Sequence, residues 1–584
     1  MPRPYRATLL ATLLATLALP APAPAQVRDS TRTDTVPRSA ADILREAGRE
    51  IPPAVARRVV DIYNAPGTLR ASGSLTIDAA RTVDGDVAMF GGTLTIAGRV
   101  TGNVAAINAD VVLEPGARVS GDVTVVGGRV VQAANAAVGG AVTAYSQTLA
   151  VHEDGEQRLA LAAHGDSWID KWRTRHARSA SGVRLTSART YNRVEGLPIY
   201  FGPTLRQRRA WGRVSADLFG IYRTAARARW DGQNIGHLAR ADVAMGDRSI
   251  VAVGGRLFDI VSPVEEWHLT DTENALSTFF LHRDFRDHFD RHGGTVYARA
   301  AAGERAELTA SFSDQRWGAR SVRDAWTLVR DDDPWRANPL LDEGRFHLAG
   351  LGLRVDTRND PRNPWAGWYV QADYERGTGE LTRLGARSDP AEMVPGRLTW
   401  QRGFVDARRY NRIAPNAQLN MRLVLGGALD GRPLPLNRRL SVGGPGTLPG
   451  YDFRRDAMET LSCSRGALSA GRPAECERIA LAQLEYQSDV ELSIGGRWGR
   501  GDDALLRRRY TGSWIVFADA GRGWLVGPRE AEAQYPTGSM PALGTFRTDL
   551  GTGFQFNTVG LFIAKSVSDA DEPPNVYLRL RRRF

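Results

Sequence analysis

From about Tyr191 to the end of the chain, apolar and polar residues alternate with a period of two. Ala239, Ala241, Val243 and Met245 oppose Arg240 and Asp242; Trp368, Val370, Ala372 and Tyr374 oppose Gln371, Asp373 and Glu375; Leu419, Met421, Leu423 and Leu425 oppose Asn420 and Arg422. One apolar face at this period predicts strands. The alternation is sharpest at Pro574–Phe584, where Val576, Leu578, Leu580 and Phe584 share one face and Tyr577, Arg579, Arg581 and Arg583 the other. Roughly 9–11 such residues cross a bilayer when the apolar row meets lipid and the polar row a wet lumen. Residues 191–584 are therefore expected to form a transmembrane antiparallel β-barrel in the bacterial outer membrane. At roughly 24 residues per strand and connection the segment holds about 16 strands, within the even-numbered range of such barrels. If the last strand ends in the periplasm, counting backwards makes Asn557-Thr558 a short periplasmic turn and puts the long Gly427–Arg478 segment outside the cell. Short periplasmic turns and long surface loops are the rule for these barrels.

Upstream the pattern differs. Arg3 and Arg6 precede an apolar run, Ala7–Leu19, and Ala23-Pro24-Ala25 supplies small residues for cleavage, so residues 1–25 read as a signal peptide. Residues 26–66 read as a polar tether followed by short helices at Ala40–Arg49 and Pro53–Tyr63, the second with proline in its first turn. Over 67–150 a repeat takes over. Gly85-Asp86-Val87, Gly102-Asn103-Val104, Gly121-Asp122-Val123 and Gly140-Ala141-Val142 recur in step with Gly73-Ser74-Leu75, Gly92-Thr93-Leu94, Ala109-Asp110-Val111 and Gly128-Arg129-Val130. A period of this kind predicts stacked coils, a small periplasmic β-solenoid in which no coil buries its apolar positions until another stacks on it. The segment resembles the bactofilin type of β-helix, which implies a docking, spacing or polymerising module; a stability cap or adapter is the plainer alternative. Residues 151–190 read as a connector.

Composition narrows the function classes. Hydrophobic content of 42% with a mean hydropathy of −0.32 excludes a helical membrane bundle but not a barrel with a polar lumen. The net charge of +11 is carried by arginine, Lys171 and Lys565 being the only lysines. The arginines are interspersed with Asp and Glu instead of forming a basic patch, so no nucleic-acid partner is expected. Cys463 and Cys476 are the only cysteines, and in an exported protein they suggest a local disulfide.

Three segments carry a family resemblance. Asp356-Thr357-Arg358, continuing to Asn363-Pro364 and Gly367-Trp368, looks like the Asp-Thr-Arg turn of the BamA/TamA-type outer-membrane barrels; Asp and Asn beside Pro are also ordinary turn formers. Gly443-Gly444-Pro445-Gly446-Thr447-Leu448-Pro449-Gly450-Tyr451 is similar to that family's long-loop motif, whose tip folds back into the lumen with an arginine before Gly-Tyr. Phe517-Ala518-Asp519-Ala520-Gly521 looks like the strand motif that receives that arginine. Here Pro449 stands in the arginine's position, so the resemblance implies that Asp519 anchors the loop through Arg454 or Arg455, or that there is no lock. Polypeptide-transport-associated domains, which precede the barrel in the assembly factors, are not found in the sequence.

The resemblance implies a barrel that inserts or translocates protein across the outer membrane, gated by the inward-folded loop, with a weak seam between first and last strands. Tyr577, Leu578, Leu580 and Phe584 would be read as a terminal signal by the outer-membrane assembly machinery. Expected partners are outer-membrane lipid, a polypeptide client, and cell wall or a second solenoid. The alternatives are a passive channel or solute transporter, and a structural anchor. No nucleophile, base and orienting acid can be assembled, so no enzyme activity and no cofactor is expected. His282, His288 and His292 read as a solvated turn and not a metal site, and Asp331-Asp332-Asp333 lacks calcium-ligand spacing.

Overall fold

The structure, a computed structural model, describes residues 51–145, 147–149, 151–153, 158–161, 180–187, 190–209, 211–226, 231–246, 249–303, 305–329, 331, 333–361, 363–386, 393–414, 416–453, 473–495, 507–527, 534–556 and 559–584. The signal peptide, most of the tether, the Ala40–Arg49 helix and much of the connector lie outside them.

Helix α1, Pro53–Asn64, begins with proline at its first position, where no amide hydrogen is needed. Beyond it the repeats form a β-solenoid whose parallel ladders stack Leu69, Val87, Val104, Val123 and Val142. Each Gly-Asp/Asn-Val triplet has a physical cause. The Asp86 carboxylate accepts the Asn103 amide (2.7 Å), Asn103 Oδ1 that of Asp122 (3.0 Å) and Asp122 that of Ala141 (2.9 Å), so each coil caps the next. The glycines stack because a Cβ on Gly121 would lie 2.7 Å from the Gly102 carbonyl oxygen. Val87, Val104 and Val123 are fully buried with Leu94, Val100 and Val111, while Val59, Val60 and Tyr63 of α1 cover the outward Ala88, Ala105 and Ile107.

A 16-strand antiparallel sheet follows. Its strands are β1 (Ala180–Ser187), β2 (Pro198–Arg209), β3 (Gly212–Arg223), β4 (Ile235–Met245), β5 (Ser249–Pro263), β6 (His288–Ala302), β7 (Ala306–Ala319), β8 (Glu343–Asp356), β9 (Ala366–Arg383), β10 (Gly396–Ala414), β11 (Ala417–Ala428), β12 (Arg478–Gly495), β13 (Arg507–Val526), β14 (Arg547–Phe556), β15 (Val559–Ser566) and β16 (Asn575–Arg579). Each pairs with the next. Among the described residues no backbone ladder joins β1 to β16. The first described strand of the sheet lies within the stretch read as a connector, upstream of 191, with Val183 and Leu185 on its outward face.

The expected alternation is present. Leu308, Phe312, Leu351, Leu353, Met421, Leu484, Leu561 and Ile563 are exposed on the outer face, whereas Asn420, Arg422, Gln483, Glu485 and Asp519 are buried within. Connections at one end are mostly short, at 210–211, 246–248, 303–305, 357–365, 415–416 and 557–558, with 496–506 the longest of them. Those at the other are long, notably 264–287, 320–342 and 429–477, and the 264–287 connection carries helix α2, Asp271–Leu281. The solenoid meets the short-turn end. Asp110, fully buried in it, pairs with Arg412 near the end of β10 at 2.6 and 3.1 Å, and the Thr148 amide donates to the Asn359 carbonyl at 3.4 Å.

Two further expectations are corrected. The terminal strand stops at Arg579, and Phe584 is buried near Tyr410 (ring centroids 6.4 Å apart) instead of continuing the outward row with Leu580. Buried carboxylates draw the tail inward: Arg579 pairs with Glu273 at 2.7 Å and Arg583 with Asp519. The histidine run is not a solvated turn. Asp284, Asp287 and His288 are buried around Arg193, whose guanidinium lies 2.9 Å from Asp284 and 3.0 Å from Asp287. His282 stacks on Trp335, and His292 faces outward.

Candidate functional site within the barrel lumen

The strand ends place polar side chains in the lumen, and a described part of the long connection, 429–453, dips back among them. Segment 440–451 is buried throughout, apart from a half-buried Pro445. Its apolar part, Leu440, Val442, Leu448 and Tyr451, packs with inward-facing Val424 of β11 and Ile479 and Leu481 of β12. Gly443, Gly444 and Gly446 turn the chain with positive φ of 110°, 90° and 90°. The turn is closed by Thr447, whose amide donates to Gly444 O (3.1 Å) and whose hydroxyl accepts from the Gly443 amide (2.9 Å). Only glycine fits at 446, since a Cβ there would sit 1.9 Å from the His268 carbonyl oxygen.

The tip is tied to the barrel wall. The Gly450 amide donates to Asp549 of β14 at 2.6 Å, Ser566 of β15 donates to the Tyr451 hydroxyl at 2.7 Å, and Asn575 of β16 donates to Pro449 O at 3.3 Å. On the facing side Gln483 donates to Thr447 O at 3.0 Å and Arg422 to Gly446 O at 3.4 Å. Arg422 is itself gripped by Asp406 of β10 through two bonds of 3.0 and 2.9 Å. A buried two-pronged pair of this kind is rigid, because leaving either charge alone costs about 3–5 kcal/mol.

Asp519, the expected anchor, takes a different partner. It pairs with Arg583 of the C-terminal tail, and Arg583 stacks over the Phe517 ring at 3.4 Å from its centroid. Asp519 and Asp549 are register neighbours on β13 and β14, so the loop is anchored one strand further along than the motif implied. The reason lies in the residue at 449: proline brings no cation to the tip, the tail supplies one to Asp519, and the neighbouring carboxylate is left to accept an amide. Arg454 and Arg455 lie outside the described residues.

A second strap crosses beneath the first. Glu265, just beyond β5, accepts from the Ser441 amide (2.7 Å) and hydroxyl (2.6 Å), and the His268 ring meets Ser441 O at 3.1 Å. Helix α2 opens with a capping box between Thr270 and Glu273, and the same Glu273 receives Arg579 and the Leu580 amide (3.1 Å). Glu265, His268, Thr270 and Glu273 were not singled out from sequence. The Thr-x-x-Glu spacing at 270–273 is a readable helix-start signal; the partnerships of Glu265 and Asp549 have no local signal.

The remaining residues are placed as follows. Arg358 folds back on Asp356 through bonds of 2.9 and 2.7 Å, and Trp368 donates to the Thr357 hydroxyl at 3.0 Å, making the β8–β9 turn against which the solenoid rests. Tyr577 points inward and stacks on Phe562 (5.4 Å); Leu578 is exposed outward. Cys476 is buried, bridges Leu440 through its backbone and is disulfide-bonded, while Cys463 lies outside the described residues. Beside these straps the lumen holds a cavity of about 610 Å³, lined by Glu266, Glu307, Arg354, Asp373, Glu375 and Arg402 among others.

No family model and no curated protein matches the chain. Solved structures do. They include BamA from Haemophilus ducreyi lacking POTRA domains 1–3, at 12% identity and a TM-score of 0.38 over 68% of this chain and 69% of that one. CdiB from Escherichia coli follows at 10% and 0.30 (74% and 66%), and the FrpB iron transporter from Neisseria meningitidis at 10% and 0.28 (74% and 66%). The chain thus spans about two thirds of each. At these values the likeness adds nothing to the registers and burial described above, on which the barrel assignment stands.

Proposed function

We propose that the protein is an outer-membrane barrel of the BamA/TamA type that inserts or translocates polypeptide, closed at rest by the inward-folded 440–451 segment, with the solenoid as its periplasmic contact. The observation that carries this is the seat of the loop tip, bonded to β14, β15 and β16 on one side and to β11 and β12 on the other. A pore that merely narrows needs no such ties across both walls. Short turns at the solenoid's end support a periplasmic position for it. The short edges of β1 and β16, which no ladder joins among the described residues, support a seam at which a client strand could add to the sheet. Tethering by Glu273–Arg579 and Arg583–Asp519 would hold that seam shut until the interior rearranges.

A solute channel is the second reading, favoured by the charged cavity of about 610 Å³. Planar-bilayer conductance of the full chain and of a variant lacking 444–456 tests the gate: the variant should conduct severalfold more, and identical conductance would refute a plug. Deleting 67–150 in cells while following other outer-membrane proteins then separates the readings. A fall in their levels is expected for insertion, and unchanged levels with altered solute uptake would select the channel.

A further inference from the structure

On one side of the barrel the apolar outer face ends in charge. The backbone register links His237 of β4, Asp259 of β5, His292 of β6, Arg316 of β7, Arg345 of β8, Glu380 of β9 and Arg397 of β10 in a single outward row. Below it on the same face lie Leu257, Val296, Phe312 and Leu351, each at least half exposed. Hydrogen-bonded rows climb toward the long-loop end with strand number: the row that starts at Trp368, near the short-turn end of β9, reaches Lys565, near the long-loop end of β15. At one height around the barrel, the apolar belt therefore meets His292, Asp314, His347 and Arg376 in turn, with Arg316, Arg345 and Arg397 above them.

The collar's charges are only partly matched internally. Asp314 holds Arg345 at 2.6 Å and His347 at 3.7 Å, and Asp259 lies 3.9 Å from His292. Among the described residues no ion pair or hydrogen bond engages Arg316, Arg376 or Arg397, all of them exposed. Arg316 stands directly opposite Arg345 in register. Like charges facing each other on a sheet are destabilising, and an anion between them reverses the sign. A guanidinium fork suits phosphate oxygens, which it can engage two at a time. Outward Thr378, Thr399 and Gln401 sit among these arginines and can hydrogen-bond sugar hydroxyls. Elsewhere the equivalent face carries exposed Leu185, Phe201 and Leu218, or is covered where Tyr535 and Phe546 pack on Trp524. Among the described residues, Arg478 and Lys565 on the other flank are held by carbonyl oxygens, so the unmatched arginines lie on one side.

We propose that the β5–β10 collar binds the phosphorylated sugar headgroup of a glycolipid in the leaflet at the long-loop end, its acyl chains lying along Leu257, Val296, Phe312 and Leu351. This rests on the outer-membrane reading above. The full chain and its Arg316→Gln/Arg376→Gln/Arg397→Gln variant would be reconstituted in phosphatidylcholine nanodiscs doped with lipid A, a diphosphorylated disaccharide lipid, or with phosphatidylglycerol, and retained lipid counted by native mass spectrometry. The unmodified protein should retain lipid A over both other lipids, and the triple variant should lose about tenfold of that preference. A lysine triple, which keeps charge without the fork, should lose part of it. Equal retention of lipid A and phosphatidylcholine, equal retention of lipid A and phosphatidylglycerol, or an unchanged triple variant would each overturn the collar while leaving the membrane reading intact. Failure to enter any bilayer would overturn both.

Discussion

Asp519 and Asp549 face the lumen side by side, and one guanidinium, from Arg583, serves the first while the Gly450 amide serves the second. Removing that cation leaves the buried Asp519 carboxylate without its ion-pair partner. Arg583→Ala is expected to destabilise the barrel by about 3–5 kcal/mol, the usual cost of breaking a buried pair. Urea unfolding in detergent would measure it, and the Arg583→Ala/Asp519→Asn double variant should recover much of the loss. A single variant as stable as the parent would show that the pair does not hold the tail. Asp284, in the 264–287 connection, behaves differently. Burial pushes its carboxyl up, but Arg193 and His288 outweigh burial and hold it well below the ordinary 3.8. A carboxyl depressed in the folded state contributes stability above its unfolded value and loses it as pH falls below about 4. Amides of 193–196 should therefore exchange faster at pH 3 than at pH 5 after correction for intrinsic rates, and Asp284→Asn should abolish that difference. Pro449 shows what the residues alone could reveal: the missing arginine was legible, but its replacement by an arginine from the far end of the chain depends on where the tail folds.

At the scale of elements, period two and the glycine-anchored repeat made the strands and the solenoid legible, because each repeats one physical requirement many times. Single features did not repeat and were missed. Strand β1 is short and flanked by Arg and Ser, so two outward apolar residues could not distinguish it from a connector. The terminal row Leu580 to Phe584 obeys the alternation yet leaves the sheet, because buried Glu273 and Asp519 compete for its arginines. Docking of the solenoid likewise depends on a buried carboxylate, Asp110, held by Arg412 at 2.6 Å beside the weaker Thr148–Asn359 bond of 3.4 Å. Arg412→Ala should free the solenoid from the barrel rim without unfolding either, raising proteolysis between 146 and 179 several-fold. An unchanged cleavage rate would assign the docking to other contacts.

Solenoid and barrel share one rule: neighbouring strands pair their backbone polar groups, and apolar side chains meet another coil, the inward-folded segment or lipid. A cylinder so built must present alternating environments along every strand, with its straps reachable only from the lumen. The most direct test scans nitroxide labels along β7 in a reconstituted bilayer. Leu308, Ala310 and Phe312 should be reached by lipid-soluble oxygen, and Thr309 and Ser311, which line the cavity, by a water-soluble nickel complex. Period-two alternation in that phase is the expected result; uniform accessibility, or the opposite phase, would contradict the barrel itself.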